Sequence, residues 1–94
     1  MALFHVMALD KPGALDLRLE NRAAHLEWAK AAGDTVRMAG PLLADDGESF
    51  IGSVFLIEAE SEEALKAFQA EDPYVKAGLF QTVDIRPFKL VISN

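Results

Sequence analysis

The hydrophobic pattern starts with residues 3–9, which are almost wholly apolar. On a period of two, Leu3, His5, Met7 and Leu9 share one face and Phe4, Val6 and Ala8 the other. Both faces are apolar apart from His5, which predicts a strand covered on both sides. Asp10-Lys11-Pro12-Gly13 ends it in a turn. The pattern then changes to a helical spacing over residues 15–33. At about 100° per residue, Leu15, Leu19, Ala23, Leu26 and Gly33 fall on one stripe, predicted to face the core. Arg22 lies at the edge of that stripe, with Arg18 and His25 just beyond it, and Asp16, Glu20 and Glu27 mark the other border. Leu17, Ala24, Trp28 and Ala31 share the back of the helix. They read either as scattered surface apolars or as a second contact surface anchored on Trp28. Gly33 is a natural helix stop.

Residues 35–43 predict a second strand containing Gly40-Pro41, which marks an edge, a bulge or a strand end. A polar turn at 44–48 leads into a third strand at 49–59. Its run Val54-Phe55-Leu56-Ile57 is the most apolar of the chain, and the short link predicts a hairpin. Ser61 caps a second helix, with Glu62 and Glu63 at the positive end of its dipole and Ala64, Leu65 and Phe68 on its core face. Asp72-Pro73 ends or restarts that helix, and 74–78 adds one turn closed by Gly78. The fourth strand is 79–87, with Val83 and Ile85 set against Thr82, Asp84 and Arg86. The tail, 88–94, is apolar enough to serve as an added strand or arm.

The order β-α-β-β-α-β is the ferredoxin-like α+β plan, and residues 1–94 form a single domain. Two helices are expected on one face of a four-stranded antiparallel sheet. The other face would be left open, and its apolar content predicts a homodimer. The composition agrees: 51% of a 94-residue chain is hydrophobic, more than so short a chain can readily hide alone. The net charge of −6 argues against nucleic acid or an anionic membrane surface as partner. The absence of cysteine, of a signal peptide and of a long apolar run points to the cytoplasm.

The best chemical lead is the His beside two Arg on the first helix. In order along the chain come Arg22-Ala23-Ala24-His25-Leu26, Ala39-Gly40-Pro41-Leu42, Gly52-Ser53 and Asp72-Pro73-Tyr74-Val75-Lys76-Ala77-Gly78-Leu79-Phe80. As a set they resemble the YciI-like (YCII-related) proteins, nearly end to end. The resemblance implies a dimeric α+β barrel and a pocket holding a His and an Asp proposed as an active-site pair, which map to His25 and Asp72. Some members of the family are similar to enzymes that remove hydrogen chloride from chlorinated ring-cleavage products, so the resemblance makes a lyase a candidate activity.

On that reading His25 is a general acid/base and Asp72 accepts its other ring N–H, fixing tautomer and orientation. Arg18 and Arg22 would disfavour the imidazolium and Asp72 would favour it. Arg22 would bind an acid group of the substrate, Gly40 would permit close backbone approach, Ser53 would add a hydrogen bond and Tyr74 would wall the pocket. Bland readings stand beside each role. His25 with Asp72 can be a structural clamp, and Asp72 a helix cap. Arg22 can pair with a surface Glu, Gly40-Pro41 can simply end a strand, and Tyr74 can be core. Ser53 is a lone polar residue in an apolar strand. His5, mid-strand, suits an interface histidine. Two His without Cys do not make a metal site, and no phosphate loop or nucleophile elbow is present. The sequence therefore predicts a small, cofactor-free enzyme performing elimination or isomerisation on a small anionic organic molecule. The alternative is a non-catalytic ligand-binding or accessory module with a dimer pocket.

Overall fold

The computed structural model describes residues 1–94. Four strands form one antiparallel sheet: β1 (Ala2–Asp10), β2 (Val36–Leu43), β3 (Phe50–Ala59) and β4 (Phe80–Phe88), in the order β2-β3-β1-β4. The helices are α1 (Leu15–Ala31), α2 (Glu62–Gln69) and the single turn α3 (Pro73–Lys76). This is the predicted ferredoxin-like plan, with β2 and β3 joined as a hairpin. The apolar runs at the sheet centre account for the order. β1 and β3 pair over eight positions, from Ala2 opposite Ala59 to Leu9 opposite Gly52.

Strand alternation divides the sheet cleanly. Phe4, Val6, Phe55, Ile57 and Ala59 point to the helices, where Leu65 of α2 completes a buried core. Trp28, Val36, Phe68 and Ile85 pack around it. The other face carries His5, Met7, Val54 and Leu56, and no helix covers it. Gly52 is demanded by packing, since a Cβ there would collide with the Ala8 carbonyl oxygen across the strand pair. Ser61 caps α2 as expected, its Oγ accepting from Ala64 N–H at 3.1 Å.

The helix α1 is rotated from its predicted setting. Its buried residues are Arg18 and His25, with Leu17, Asn21 and Trp28 half-buried beside them. The ridge read as core is exposed: Leu19 keeps 51% of its surface in solvent, and Leu15 and Leu26 are also exposed. Trp28, considered as an outward anchor, instead stacks on Phe68 with ring centroids 4.6 Å apart. The physical reason is that Arg18 and His25 find buried partners, so the strongly polar stripe can go inward. A helical wheel weighs side chains one at a time and misses that compensation. The helix also stops earlier, at Ala31, and Gly33 opens a short 3-10 turn, Gly33–Thr35. The tail beyond Phe88 forms no strand.

Candidate active site

Two polar systems meet under α1. The first begins at the end of β1. Arg18 donates from Nε to Asp10 Oδ2 at 2.7 Å and from a terminal nitrogen to Asp10 Oδ1 at 2.8 Å, a two-pronged pairing of guanidinium and carboxylate. The same terminal nitrogen donates to Ser53 Oγ of β3 at 2.9 Å. Burial alone would weaken the Arg18 charge, but the bonds and charge of Asp10 outweigh it and lift its pKa above the ordinary value. Arg18 is thus a committed cation, its charge already answered.

The second system joins α1 to α3. His25 Nδ1 lies 2.8 Å from Asp72 Oδ1. An ionised carboxylate can only accept, so Nδ1 carries the proton and Nε2 is left as the working nitrogen. Nε2 makes no hydrogen bond within the chain, and it is not among the sealed, unpartnered polar atoms. Solvent therefore reaches it, and His25 is one of the residues lining the cleft. Asp72 is fully buried. The Asp-Pro pair sets it there: Pro73 takes the first helical position and Asp72 caps the turn, its Oδ1 also accepting from Tyr74 N–H at 2.9 Å. One oxygen thus serves as both helix cap and histidine acceptor, two roles that the sequence presented as competitors. The other oxygen, Oδ2, is buried without a partner.

Tyr74 links the two systems. Its ring stacks on the His25 imidazole at 3.9 Å and 13°, and the Arg18 guanidinium lies over it at 4.7 Å. The residue is both core and pocket wall: it is buried, yet it lines the cleft. Burial pushes its phenol above the ordinary value, while Arg18 and Arg22 pull the other way and lose. Tyr74 therefore stays a neutral donor through the physiological range.

The cleft itself has a volume of about 110 Å³. Its long wall is the flank of α1 that carries Arg22, His25 and Leu26. Ala39 to Pro41 of β2 face that wall, and Phe50, Ser53 and Phe55 of β3 form the floor. Arg22 forms no ion pair, contrary to the surface-Glu reading; its guanidinium rests 5.8 Å from the centre of the Phe50 ring. It is the one cation of the cleft whose charge is not answered by a carboxylate. Ser53 is occupied by Arg18. Gly40 pairs with Val54, so by alternation a side chain there would project onto the open sheet face. It meets the cleft with backbone alone, and a Cβ on it would touch nothing within 4 Å. His5 is remote from this site, on the open face near Phe88.

All six residues singled out from the sequence border this cleft or, in the case of Asp72, support it from beneath. Asp10 and the role of Arg18 escaped sequence reasoning. Asp10 read only as a turn residue. The available signal was that Arg18 and His25 stand two helical turns apart on the same side as Leu17 and Trp28.

The YCII-related domain model matches residues 2–89. The chain belongs to the YCII-related family. It is 40% identical to protein YciI of Escherichia coli over 96 residues, covering 95% of this chain and 98% of that one. It is 38% identical over 93 residues to a Haemophilus influenzae protein, covering 92% and 95%. Among solved structures it resembles 5-chloro-2-hydroxyhydroquinone dehydrochlorinase (TftG) of Burkholderia phenoliruptrix, in complex with 2,5-dihydroxybenzoquinone. That match has a TM-score of 0.83, 33% identity and 93% coverage of both chains. An antibiotic biosynthesis monooxygenase, at a TM-score of 0.56 and 15% identity over 98% of this chain and all of that one, shares the fold alone. No helix is long and apolar enough to cross a membrane.

Proposed function

We propose that this YCII-family chain is a cofactor-free lyase acting on a small, oxygenated, anionic six-membered ring. The observation that carries this is the buried His25–Asp72 pair, 2.8 Å apart, with His25 lining a cleft bordered by an unpaired arginine. A cavity of roughly 150 Å³ is known to hold benzene. The cleft, at about 110 Å³, is of the same order and open on one side, which suits a substituted ring seated partly in solvent. Phe50, Phe55 and Pro41 supply apolar walls and Arg22 an anchor for an enolate or carboxylate oxygen. TftG is a 5-chloro-2-hydroxyhydroquinone dehydrochlorinase, and the same class of substrate is the first to try here.

In this mechanism the hydroxylated ring first takes a keto form in which a hydroxyl proton has moved to the chlorine-bearing carbon. His25 Nε2 then takes a proton from a second ring hydroxyl, the oxygen's electron pair shifts into the ring, and the carbon–chlorine bond breaks with loss of chloride. The imidazolium so formed sits on the Asp72 carboxylate, which favours it, and then returns its proton to solvent. Substrate becomes product plus H⁺ and Cl⁻, with no net oxidation. Tyr74, kept neutral, is placed to donate to a ring oxygen.

The reading includes a homodimer formed through the open sheet face, which carries Val54, Leu56 and Phe88. In the cell we place it in the cytoplasm, with neither nucleic acid nor membrane as partner.

The test is chloride release from 5-chloro-2-hydroxyhydroquinone, with binding of 2,5-dihydroxybenzoquinone followed in parallel. The single tryptophan, Trp28, lies with its ring 5.9 Å from His25 and reports binding by fluorescence. Turnover that disappears in His25→Gln while quenching persists supports the lyase. Quenching without turnover in the unaltered protein refutes it and supports the binding module, for which the same cleft is the site.

A further inference from the structure

The C-terminal tail is not used by the site, and it lies almost wholly beyond the match to the family, which ends at residue 89. Leu90, Val91 and Ile92 are consecutive apolar residues, and Val91 and Ile92 keep 77% and 74% of their surface exposed. Such an exposed run is unfavourable unless something covers it. The tail turns back over the open sheet face. Leu90 and Ser93 share a groove with Leu3, Met38, Leu56 and Glu58, at the end where β1 begins. Further along the same face lies a second, larger apolar groove of about 390 Å³, lined by His5, Gly40, Leu42, Val54, Leu56 and Phe88. The chain's own tail leads away from the Gly40, Leu42 and Val54 end of it.

From this we infer that the tail is an exchanged arm: Val91 and Ile92 of one copy seat in the larger groove of a second copy, and reciprocally. A two-fold axis lying in the interface across the strands sets the tail end of each face against the groove end of the other. Charge supports self-association on this face. The chain carries a net −6, yet the charged residues of the face are matched, Arg37 with Glu58 and Arg86 with Asp84. Two copies can therefore meet here without stacking their negative excess. His5, opposite Arg86 in the β1–β4 pairing, lies in the same groove and is covered in the process. The inference rests on the homodimer reading and adds to it which segment makes the contact.

Sedimentation equilibrium of the full chain and of the Val91→Asp/Ile92→Asp variant separates the two claims. Both side chains are exposed within one copy, so the variant keeps its far-ultraviolet circular dichroism. The expected result is a dimer for the unaltered chain and a dissociation constant at least tenfold weaker for the variant. Equal dimerisation overturns the arm and leaves the dimer standing; a monomeric unaltered chain overturns both. Exchange is tested separately with Ile92→Cys/Leu42→Cys in this cysteine-free chain. Oxidation should give a disulfide-linked dimer on a denaturing gel. An intramolecular bridge, or no bridge, refutes exchange.

Discussion

Replacing Asp72 by Asn and by Ala separates catalysis from clamping, because the two variants differ in what they leave behind. Asp72 Oδ1 accepts from His25 Nδ1–H at 2.8 Å and from Tyr74 N–H at 2.9 Å, while Oδ2 has no partner. Asn keeps a carbonyl oxygen for both donors and is as good a helix cap as Asp. Its amide nitrogen takes the place of an oxygen that is already unsatisfied, so the count of orphaned polar atoms does not change. What Asn loses is charge assistance, about 1–2 kcal/mol on the histidine bond, partly offset because no buried carboxylate has to be desolvated. Asp72→Asn should therefore shift stability by no more than about 1–2 kcal/mol. Asp72→Ala loses the cap, about 1 kcal/mol, and strands the His25 N–H, about 1–3 kcal/mol. At roughly 4–8 °C per kcal/mol for a domain of this size, its Tm should fall by on the order of 10–30 °C. Activity should behave differently. With the carboxylate gone, neither variant stabilises the charged form of the imidazole, and Ala also leaves its tautomer unfixed. Each should lose about 10²–10⁴ in kcat, the range general acid–base catalysis supplies. Urea unfolding, chloride release and the ¹⁵N shifts of the imidazole, read together, test this. Full turnover in Asp72→Asn refutes the assigned role of the carboxylate. An Asn variant as unstable as the Ala variant refutes the hydrogen-bond accounting and favours a purely electrostatic clamp.

Asp10→Ala leaves the buried Arg18 guanidinium without its counter-charge and should destabilise by about 3–5 kcal/mol in urea unfolding; a change below 1 kcal/mol means that Arg18 swings out to solvent. Gly52→Ala drives a methyl against the Ala8 carbonyl, at the β3 position next to Ser53, and should cost about 1–3 kcal/mol, whereas Gly40→Ala, with open space around it, should fold normally. The chain has one tyrosine, so its phenolate absorbance reports Tyr74 alone. With its pKa raised in the fold, the unfolded chain ionises first as pH rises, so stability contributed by Tyr74 is complete below about pH 10 and declines above it. A Tyr74 titration at or below the ordinary value contradicts the burial described above. Asp46 titrates at about 2, lowered first by the Ser49 hydroxyl and then by the backbone N–H groups of Ser49 and Glu48. Its contribution is present above about pH 4 and is lost as pH falls towards 2, a shift that carboxyl chemical shifts in NMR can follow.

Local patterns alone were enough to define the elements and their order. Alternation at Phe4, Val6 and Ala8, the Ser61 cap, the proline at Gly40-Pro41 that suits the edge strand β2, and the Asp72-Pro73 restart each act within a few residues, so each could be read along the chain. The residues of the candidate site were named through the family resemblance, which rests on the order of motifs along the whole chain that holds His25, Asp72 and Tyr74. The orientation of α1 was decided only in three dimensions. Leu15, Leu19 and Leu26 make the more hydrophobic stripe, yet Arg18 and His25 are the residues turned inward, because Asp10, Ser53 and Asp72 are waiting for them from β1, β3 and the turn before α3. The three partners lie 8, 35 and 47 residues away along the chain. Burying a charge is unfavourable or tolerable according to what it meets, and what it meets is a property of the folded chain rather than of the helix.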